Sequence, residues 1–397
     1  MTLSDYEHIV GKAEVHGLRA LGDNIAGKKV TMVNSTAVGG GVAEILNRLV
    51  PLLNELSVQT QWRVITGGED FFEITKGFHN ALHGEAFDLR PGMLETFLEY
   101  NERNRKDMIF DDDIVVIHDP QPAALIKARE EGSRARWIWR CHIDLSNPDP
   151  VIWGFLKQFV EKYDAALFSS PSFSRKLSIA QYLFYPSIDP LTDKNKDLDQ
   201  NFIAGILERF NIDPGRPIIS QISRFDRLKD PIGVLRAFKQ AKKYNDCQLV
   251  LAGGGAADDP EGSIVLNEVR AEANGDPDIH ILELPATSNL EINALQRAST
   301  IVIQKSLREG FGLTVTEALW KRKPVIASAV GGIPLQIVNK YTGMLVHSVE
   351  GTAYQIRYLL SHPDIAKKLG ENGHEHVKQN FLITSNLRRY LLLFSLI

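Results

Sequence analysis

Thr300–Trp320 reads TIVIQKSLREGFGLTVTEALW. Its first five residues, Thr300–Gln304, are mostly β-branched and apolar and read as a strand. Gly310 and Gly312 then interrupt the chain, and Thr314–Trp320 resumes as a helix. Strand, glycine loop and helix form the repeating unit of a parallel α/β sheet. Such a loop brings backbone N–H groups to a helix start, where the aligned peptide dipoles amount to about +0.5 of an elementary charge and favour an anion. Here the amides are those of Gly312, Leu313 and Thr314. Two carboxylates flank them: Glu309 on the loop and Glu317 about one turn into the helix. A carboxylate accepts bidentate hydrogen bonds from a sugar diol. The pair therefore suits a ligand with hydroxyls on either side of a phosphate. Taken alone, Glu317 reads equally as a surface acid.

The same unit recurs outward in both directions. Towards the N-terminus lie strands at Pro217–Ser223, Gln248–Ala252 and Ile279–Leu282, with helices at Gly233–Lys243 and Glu291–Ala298; Pro324–Ala327 follows as another strand. The first half repeats the order. Lys29–Asn34 is a strand, Asn34–Gly41 (NSTAVGGG) a glycine loop, and Val42–Leu56 a helix with apolar residues on one face. Gln61–Ile65, Asp113–His118, Arg136–Arg140, Ala165–Phe168 and Gln181–Tyr185 complete a second strand series. The polar stretch Leu191–Arg216 separates the two. The expectation is α/β: two Rossmann-like, doubly wound parallel-sheet domains.

Composition agrees with two ordinary globular domains in 397 residues. A net charge of −4 gives no basic field for nucleic acid or an anionic membrane. No apolar run approaches the roughly 20 residues that span a bilayer. The start, MTLSDYEHIVGKAEV, lacks the basic and apolar regions of a signal peptide. Cys141 and Cys247 read as buried thiols of a reducing compartment, so the expected location is the cytoplasm.

Two further loops carry candidate chemistry. Ser223–Lys229 (SRFDRLK) places Arg224 and Lys229 at the carboxyl end of a strand, where ligands of open α/β sheets bind. Arg offers a planar fork to phosphate oxygens and Lys a compact charge; a solvated basic loop is the bland alternative. Gly253-Gly254-Gly255 ends another strand where backbone can approach a ligand. The first-half loop matches neither G-x-G-x-x-G nor a P-loop. Asp111-Asp112-Asp113 reads as a solvated loop, and no metal site is expected.

These residues resemble a known family. Glu309 through Glu317 matches the E-x7-E signature of retaining glycosyltransferases of family 4, which have the GT-B architecture of two Rossmann-like domains facing across a cleft. The S-R-F-D-x-x-K run and Ala329–Pro334 (AVGGIP) stand in the expected order. VNSTAVGGGVAEIL (33–46), HDPQPAAL (118–125), WRCHIDLSNP (139–148) and PSIDPLTDKN (186–195) resemble the trehalose synthase branch.

The resemblance implies roles. Arg224 and Lys229 bind the donor diphosphate; Gly312, Leu313 and Thr314 add amides to it; Glu317 holds the ribose; Glu309 sits near the transferred glucose. Gly40 and Gly41 close on the donor from the other domain, and Gly253 and Gly254 line the nucleotide. His142 lies over the donor sugar, while Asp119 and Glu44 face the acceptor. His142 and Asp119 also have bland readings as packing and turn residues. The implied reaction moves glucose from UDP- or ADP-glucose to glucose, reversibly, forming trehalose. No cofactor is tightly bound; the nucleotide sugar is a co-substrate and magnesium a stimulatory counterion. Partners are small molecules, not nucleic acid or membrane, with room for a homodimer. The last helix is expected to return to the first domain through an apolar face of Leu391, Leu392, Phe394 and Leu396. That sets the domains at 1–190 plus 381–397, and 191–380. Rival readings are a trehalose phosphorylase, a family 4 enzyme with another acceptor, and a non-catalytic sugar-nucleotide sensor.

Overall fold

The computed structural model describes residues 1–37, 40–130, 135–254 and 260–397. The chain divides into two compact units: Met1–Ser187 with Ile383–Ile397, and Ile188–Leu382. Among the described residues each unit carries one six-stranded sheet, and every strand pairing is parallel.

In the first unit the strands are β1 (Lys29–Asn34), β2 (Gln59–Val64), β3 (Ile114–His118), β4 (Arg136–Cys141), β5 (Ala165–Phe168) and β6 (Ala180–Leu183). Their order is β2-β1-β3-β4-β5-β6, so the winding reverses between β1 and β3. All of β3 is buried, as a parallel strand covered on both faces must be. Trp137, Trp139, Phe71, Phe78, Phe97 and Phe168 fill one core. The acidic run before β3 has a structural use. Asp113 accepts from the Lys29 amide at 2.8 Å, and Asp112 from the Thr31 hydroxyl at 2.7 Å.

The helix Ile383–Leu396 packs on the helices Lys12–Asp23 and Gly40–Glu55 of the same unit. Arg388 pairs with Glu14 at 2.6 Å, and Lys28 Nζ donates to the Phe394 carbonyl at 2.9 Å. Its buried face is Leu387, Tyr390, Leu391 and Phe394. The expected face is half wrong: Leu392 and Leu396 are 45% and 75% exposed. They lie about 100° and 140° round the helix from the buried Leu391, on the side shared with the exposed Ser395, so mere apolarity misassigned them.

The second unit holds β7 (Ile218–Ile222), β8 (Gln248–Gly253), β9 (Ile279–Glu283), β10 (Ile301–Gln304), β11 (Val325–Ser328) and β12 (Met344–Val346). The order β12-β11-β10-β7-β8-β9 is the 3-2-1-4-5-6 winding of dinucleotide folds, with its reversal between β7 and β10. β12 is too short to show a sequence pattern. The polar stretch after Leu191 contains a helix, Gln200–Arg209, capped by Asp199, which accepts from the Asn201 amide at 2.8 Å. Ile203, Ile206 and Leu207 recur at helical spacing and enter a core with Ile218 and Leu295. Their period was hidden by the charges around them.

Candidate active site

The second unit's reversal point is built from two loops. Ser223–Asp230 follows β7 and Lys305–Gly312 follows β10. A backbone hydrogen bond from the Leu307 amide to the Leu228 carbonyl, 2.7 Å, joins them. This brings Lys229 Nζ to 2.6 Å from Glu309 Oε2. The same carboxylate oxygen accepts from Ser306 Oγ at 3.1 Å. Lys305 is buried and pairs with Asp230. Arg224 is exposed, 3.4 Å from Asp226. The two short loops thus carry five cations, Arg224, Arg227, Lys229, Lys305 and Arg308, and three carboxylates, Asp226, Asp230 and Glu309. Gly253 ends β8 beside this loop; a Cβ there would overlap the Ser223 carbonyl oxygen, and one on Gly254 would crowd the Leu284 carbonyl. Close backbone packing therefore accounts for both glycines. Gly255 lies outside the described residues.

Gly312 has φ +82° and caps the helix Leu313–Trp320. This left-handed geometry favours glycine and turns the Leu313 and Thr314 amides out at the helix start. Gly312, Leu313 and Thr314 remain partly accessible. The AVGGIP segment holds the turn from behind. Gly331, at φ +55°, leaves no space for a Cβ against the Glu309 carbonyl oxygen, and the Gly332 amide donates to the Gly310 carbonyl at 3.0 Å. Gln336 is wholly buried; it donates to the Phe311 carbonyl and accepts from Thr316 Oγ1.

Glu317 is not a surface acid. It is 2% exposed, with Lys194 Nζ 3.4 Å from Oε1 and Gln296 Nε2 3.4 Å from Oε2. Beneath it the buried Lys321 ammonium donates to Gln296 Oε1 at 2.6 Å and Asn195 Oδ1 at 3.1 Å. Burial draws that ammonium down to about 7. Asn293 and Arg297 donate to backbone carbonyls of residues 193–196, so the start of the polar separating stretch is strapped to the helix Asn289–Ala298.

In the first unit the reversal point lies between β1 and β3. Val38 and Gly39 of the glycine loop lie outside the described residues; Gly40 opens the helix Gly40–Glu55, with Gly41 next and Glu44 exposed just past its first turn. Asp119 follows β3 in a left-handed conformation, φ +66°. Its amide donates to the Arg140 carbonyl at 2.8 Å, its carbonyl accepts from Trp139 Nε1 at 3.0 Å, and Oδ1 accepts from the His142 amide at 2.7 Å. Burial pushes the Asp119 carboxyl up to about 6. Arg140 is buried and donates to Ser169 Oγ and the Phe184 carbonyl. His142 Nε2 stands 3.1 Å from Nδ1 of the buried His118.

Comparison with known proteins decides the family. Residues 32–175 match "Trehalose synthase, N-terminal domain", and residues 205–376 match "Glycosyl transferases group 1". Trehalose synthase of Thermococcus litoralis is 46% identical over 98% of this chain and 95% of its own length. The chain belongs to the trehalose synthase family. Trehalose synthase of Rubrobacter xylanophilus is 40% identical over 99% of this chain and 96% of its own length. Among solved structures, an α,α-trehalose-phosphate synthase (UDP-forming) from Burkholderia xenovorans, 14% identical, covers 94% of this chain and 100% of its own with a TM-score of 0.74. The fold is therefore that of the GT-B glycosyltransferases, and this family member is a glycosyltransferase.

Within the family member, the sequence-derived residues fall into two sets. Arg224, Lys229, Glu309, Gly312, Leu313, Thr314 and Glu317 gather in the second unit, and Gly40, Gly41, Glu44, Asp119 and His142 in the first. Sequence reasoning missed Lys305, Lys194, Gln296, Lys321 and His118 as neighbours of these groups. His118 was visible in HDPQ, but nothing local marks its contact with a ring 24 residues on.

Proposed function

We propose that the chain transfers glucose from a nucleoside-diphosphate glucose, UDP- or ADP-glucose, to free glucose with retention of the α configuration, forming trehalose, and runs the same step in reverse. The supporting observation is the joined pair of loops at the second unit's reversal point. Exposed Arg224, the Lys229–Glu309 pair at 2.6 Å and the amides of Leu313 and Thr314 are all at hand for a diphosphate. Breaking the glycosidic bond to phosphate leaves an oxocarbenium-like sugar and adds negative charge to the departing diphosphate. Fixed cations and amides stabilise that charge without reorganising. The acceptor hydroxyl oxygen bonds to the anomeric carbon on the face the phosphate leaves, and its proton passes to the departing phosphate oxygen. No protein nucleophile is required.

Glu317 then takes ribose hydroxyls in the place of long contacts from Lys194 and Gln296, and Gly253 and Gly254 pass close to the nucleotide. Gly40 and Gly41 serve the diphosphate and sugar at their own helix start. His142 serves the transferred glucose, and Asp119 with Glu44 the acceptor. Magnesium enters only as a counterion of the nucleotide. The test is a product assay. UDP-glucose, ADP-glucose and glucose 1-phosphate are each supplied with glucose, and a non-reducing disaccharide is sought; trehalose with UDP or ADP reads the reverse step. Product from glucose 1-phosphate alone would replace this reading with a phosphorylase.

A further inference from the structure

His118 and His142 close the carboxyl ends of β3 and β4 as a pair. Their rings are nearly parallel, 17° apart with centroids at 5.4 Å, and His118 Nδ1 lies 3.1 Å from His142 Nε2. Burial, with the cationic Arg140 nearby, holds His118 down to about 3 and His142 well below the imidazole range. Both rings are therefore neutral near pH 7, and each has one N–H and one bare nitrogen.

One proton lies between the facing nitrogens, and two arrangements exist. In the first, His118 Nδ1–H donates to His142 Nε2; His118 Nε2 is then a bare lone pair, and His142 carries its proton on Nδ1. In the second, His142 Nε2–H donates to His118 Nδ1, and His118 must carry a proton on Nε2. That Nε2 is buried and has no hydrogen-bond partner among the described residues. The second arrangement would bury an N–H with nothing to donate to, and orphaned donors are rarer in folded proteins than under-satisfied acceptors. The buried Arg140 cation acts on the same ring, and a cation favours a lone pair over an N–H dipole.

We propose that His118 is a positioning residue that fixes His142 in the Nδ1–H tautomer, so that His142 offers its ligand a hydrogen-bond donor and no base. The part played at the sugar rests on the functional reading above, which places His142 at the transferred glucose. There Nδ1–H donates to a sugar oxygen. With no bare ring nitrogen facing the ligand, His142 takes no proton from the acceptor, and that proton goes to the departing phosphate. The backbone of His142 is fixed independently by the hydrogen bond that its N–H donates to Asp119 Oδ1.

The experiment uses the full chain labelled with 15N in its histidine rings. Long-range 1H–15N correlation reads which nitrogen bears the proton, with the His142 signals assigned by their loss in His142→Gln. The expected result is an Nδ1–H signature for His142 in the wild type, kept in His118→Asn, whose amide N–H can stand in for Nδ1–H. His118→Ala should lose this single-tautomer signature and lower kcat by on the order of tenfold, as when other partners that fix a histidine's tautomer are removed. Calorimetric affinity for the nucleotide should stay unchanged, and His118→Asn should recover part of the rate. A wild-type His142 protonated on Nε2 would overturn the proposal, as would an unaltered tautomer in His118→Ala. If His118→Ala does not fold, the wild-type spectrum still decides. Absence of trehalose in the product assay would remove the functional reading while leaving the tautomer result standing.

Discussion

The two units treat charge at their reversal points in opposite ways. Between β7 and β10, opposite charges are set against each other: Lys229 faces Glu309 at 2.6 Å, Lys305 faces Asp230, and Arg224 is open to solvent. Beyond β3, the side chains around the buried Arg140 cation are pushed towards their neutral forms. Two imidazoles are held below their usual range and the Asp119 carboxyl is pushed up to about 6. The physical difference is pairing. A buried ionisable group with no close counter-ion shifts towards its neutral form, whereas an opposite charge within about 4–6 Å keeps it ionised. Under the proposed function, the first region would serve the charged diphosphate and the second the neutral sugar hydroxyls.

The largest effect that would break this contrast lies at the charged region. Arg224→Ala or Lys229→Ala should lower kcat by roughly 10²–10³, as for other lost transition-state donors. Lys229→Ala should be the worse, because it leaves Glu309 unpaired beside the incoming diphosphate. Steady-state kinetics with an unchanged circular dichroism spectrum checks this; wild-type turnover in either variant would remove the phosphate role.

A middle-sized effect belongs to the buried carboxylate. Glu317→Gln should weaken binding of UDP or ADP by about 1–3 kcal/mol, the scale of a hydrogen bond to a charged group. Calorimetry reads it, and equal affinity for both nucleotides in variant and wild type would leave Glu317 a purely structural partner of Lys194 and Gln296.

The smallest effect sharpens the neutral side. The folded Asp119 carboxyl keeps its proton up to about 6, while the unfolded one releases it near about 4. Between those values the folded state binds more protons, so this residue makes the fold less stable as pH rises from about 4 to 6. Asp119→Asn should remove that decline, and asparagine tolerates the left-handed backbone at this position. Urea titrations at pH 4, 5, 6 and 7 should show the variant gaining on the wild type over this range. The limb of kcat/KM near pH 6 should also flatten. A constant stability difference across the series would mean that Asp119 does not titrate there.

Much of this was legible in the sequence because parallel strands buried on both faces read as plain apolar runs. IVVIH, RWIWRC and IVIQ needed no context, and glycine loops marked the ends of β1, β8 and β10. What stayed hidden was polar and long-range. Glu317 occupies an ordinary helix position, and its burial depends on Lys194 and Gln296, which lie far away along the chain. The helix Gln200–Arg209 hid among charges because three apolar residues suffice to dock it. Lys305 reads as an unremarkable residue of QKSLRE until Asp230 is placed against it by the adjoining β7 loop.

The return of Ile383–Leu396 to the first unit has a consequence for the order in which the protein is made. Lys12–Asp23 and Gly40–Glu55 are made before the second unit, but the helix that covers them is made only after it. Tyr390, a hydrogen-bond partner of the buried Arg140, arrives with it. Domains generally fold as they emerge, N-terminal first, yet here the second unit can close while the first still shows an apolar groove and a guanidinium short of one partner. The nascent chain therefore carries that groove open throughout synthesis of the second unit, and a chaperone that guards it must hold the first unit until Ile383–Leu396 has emerged.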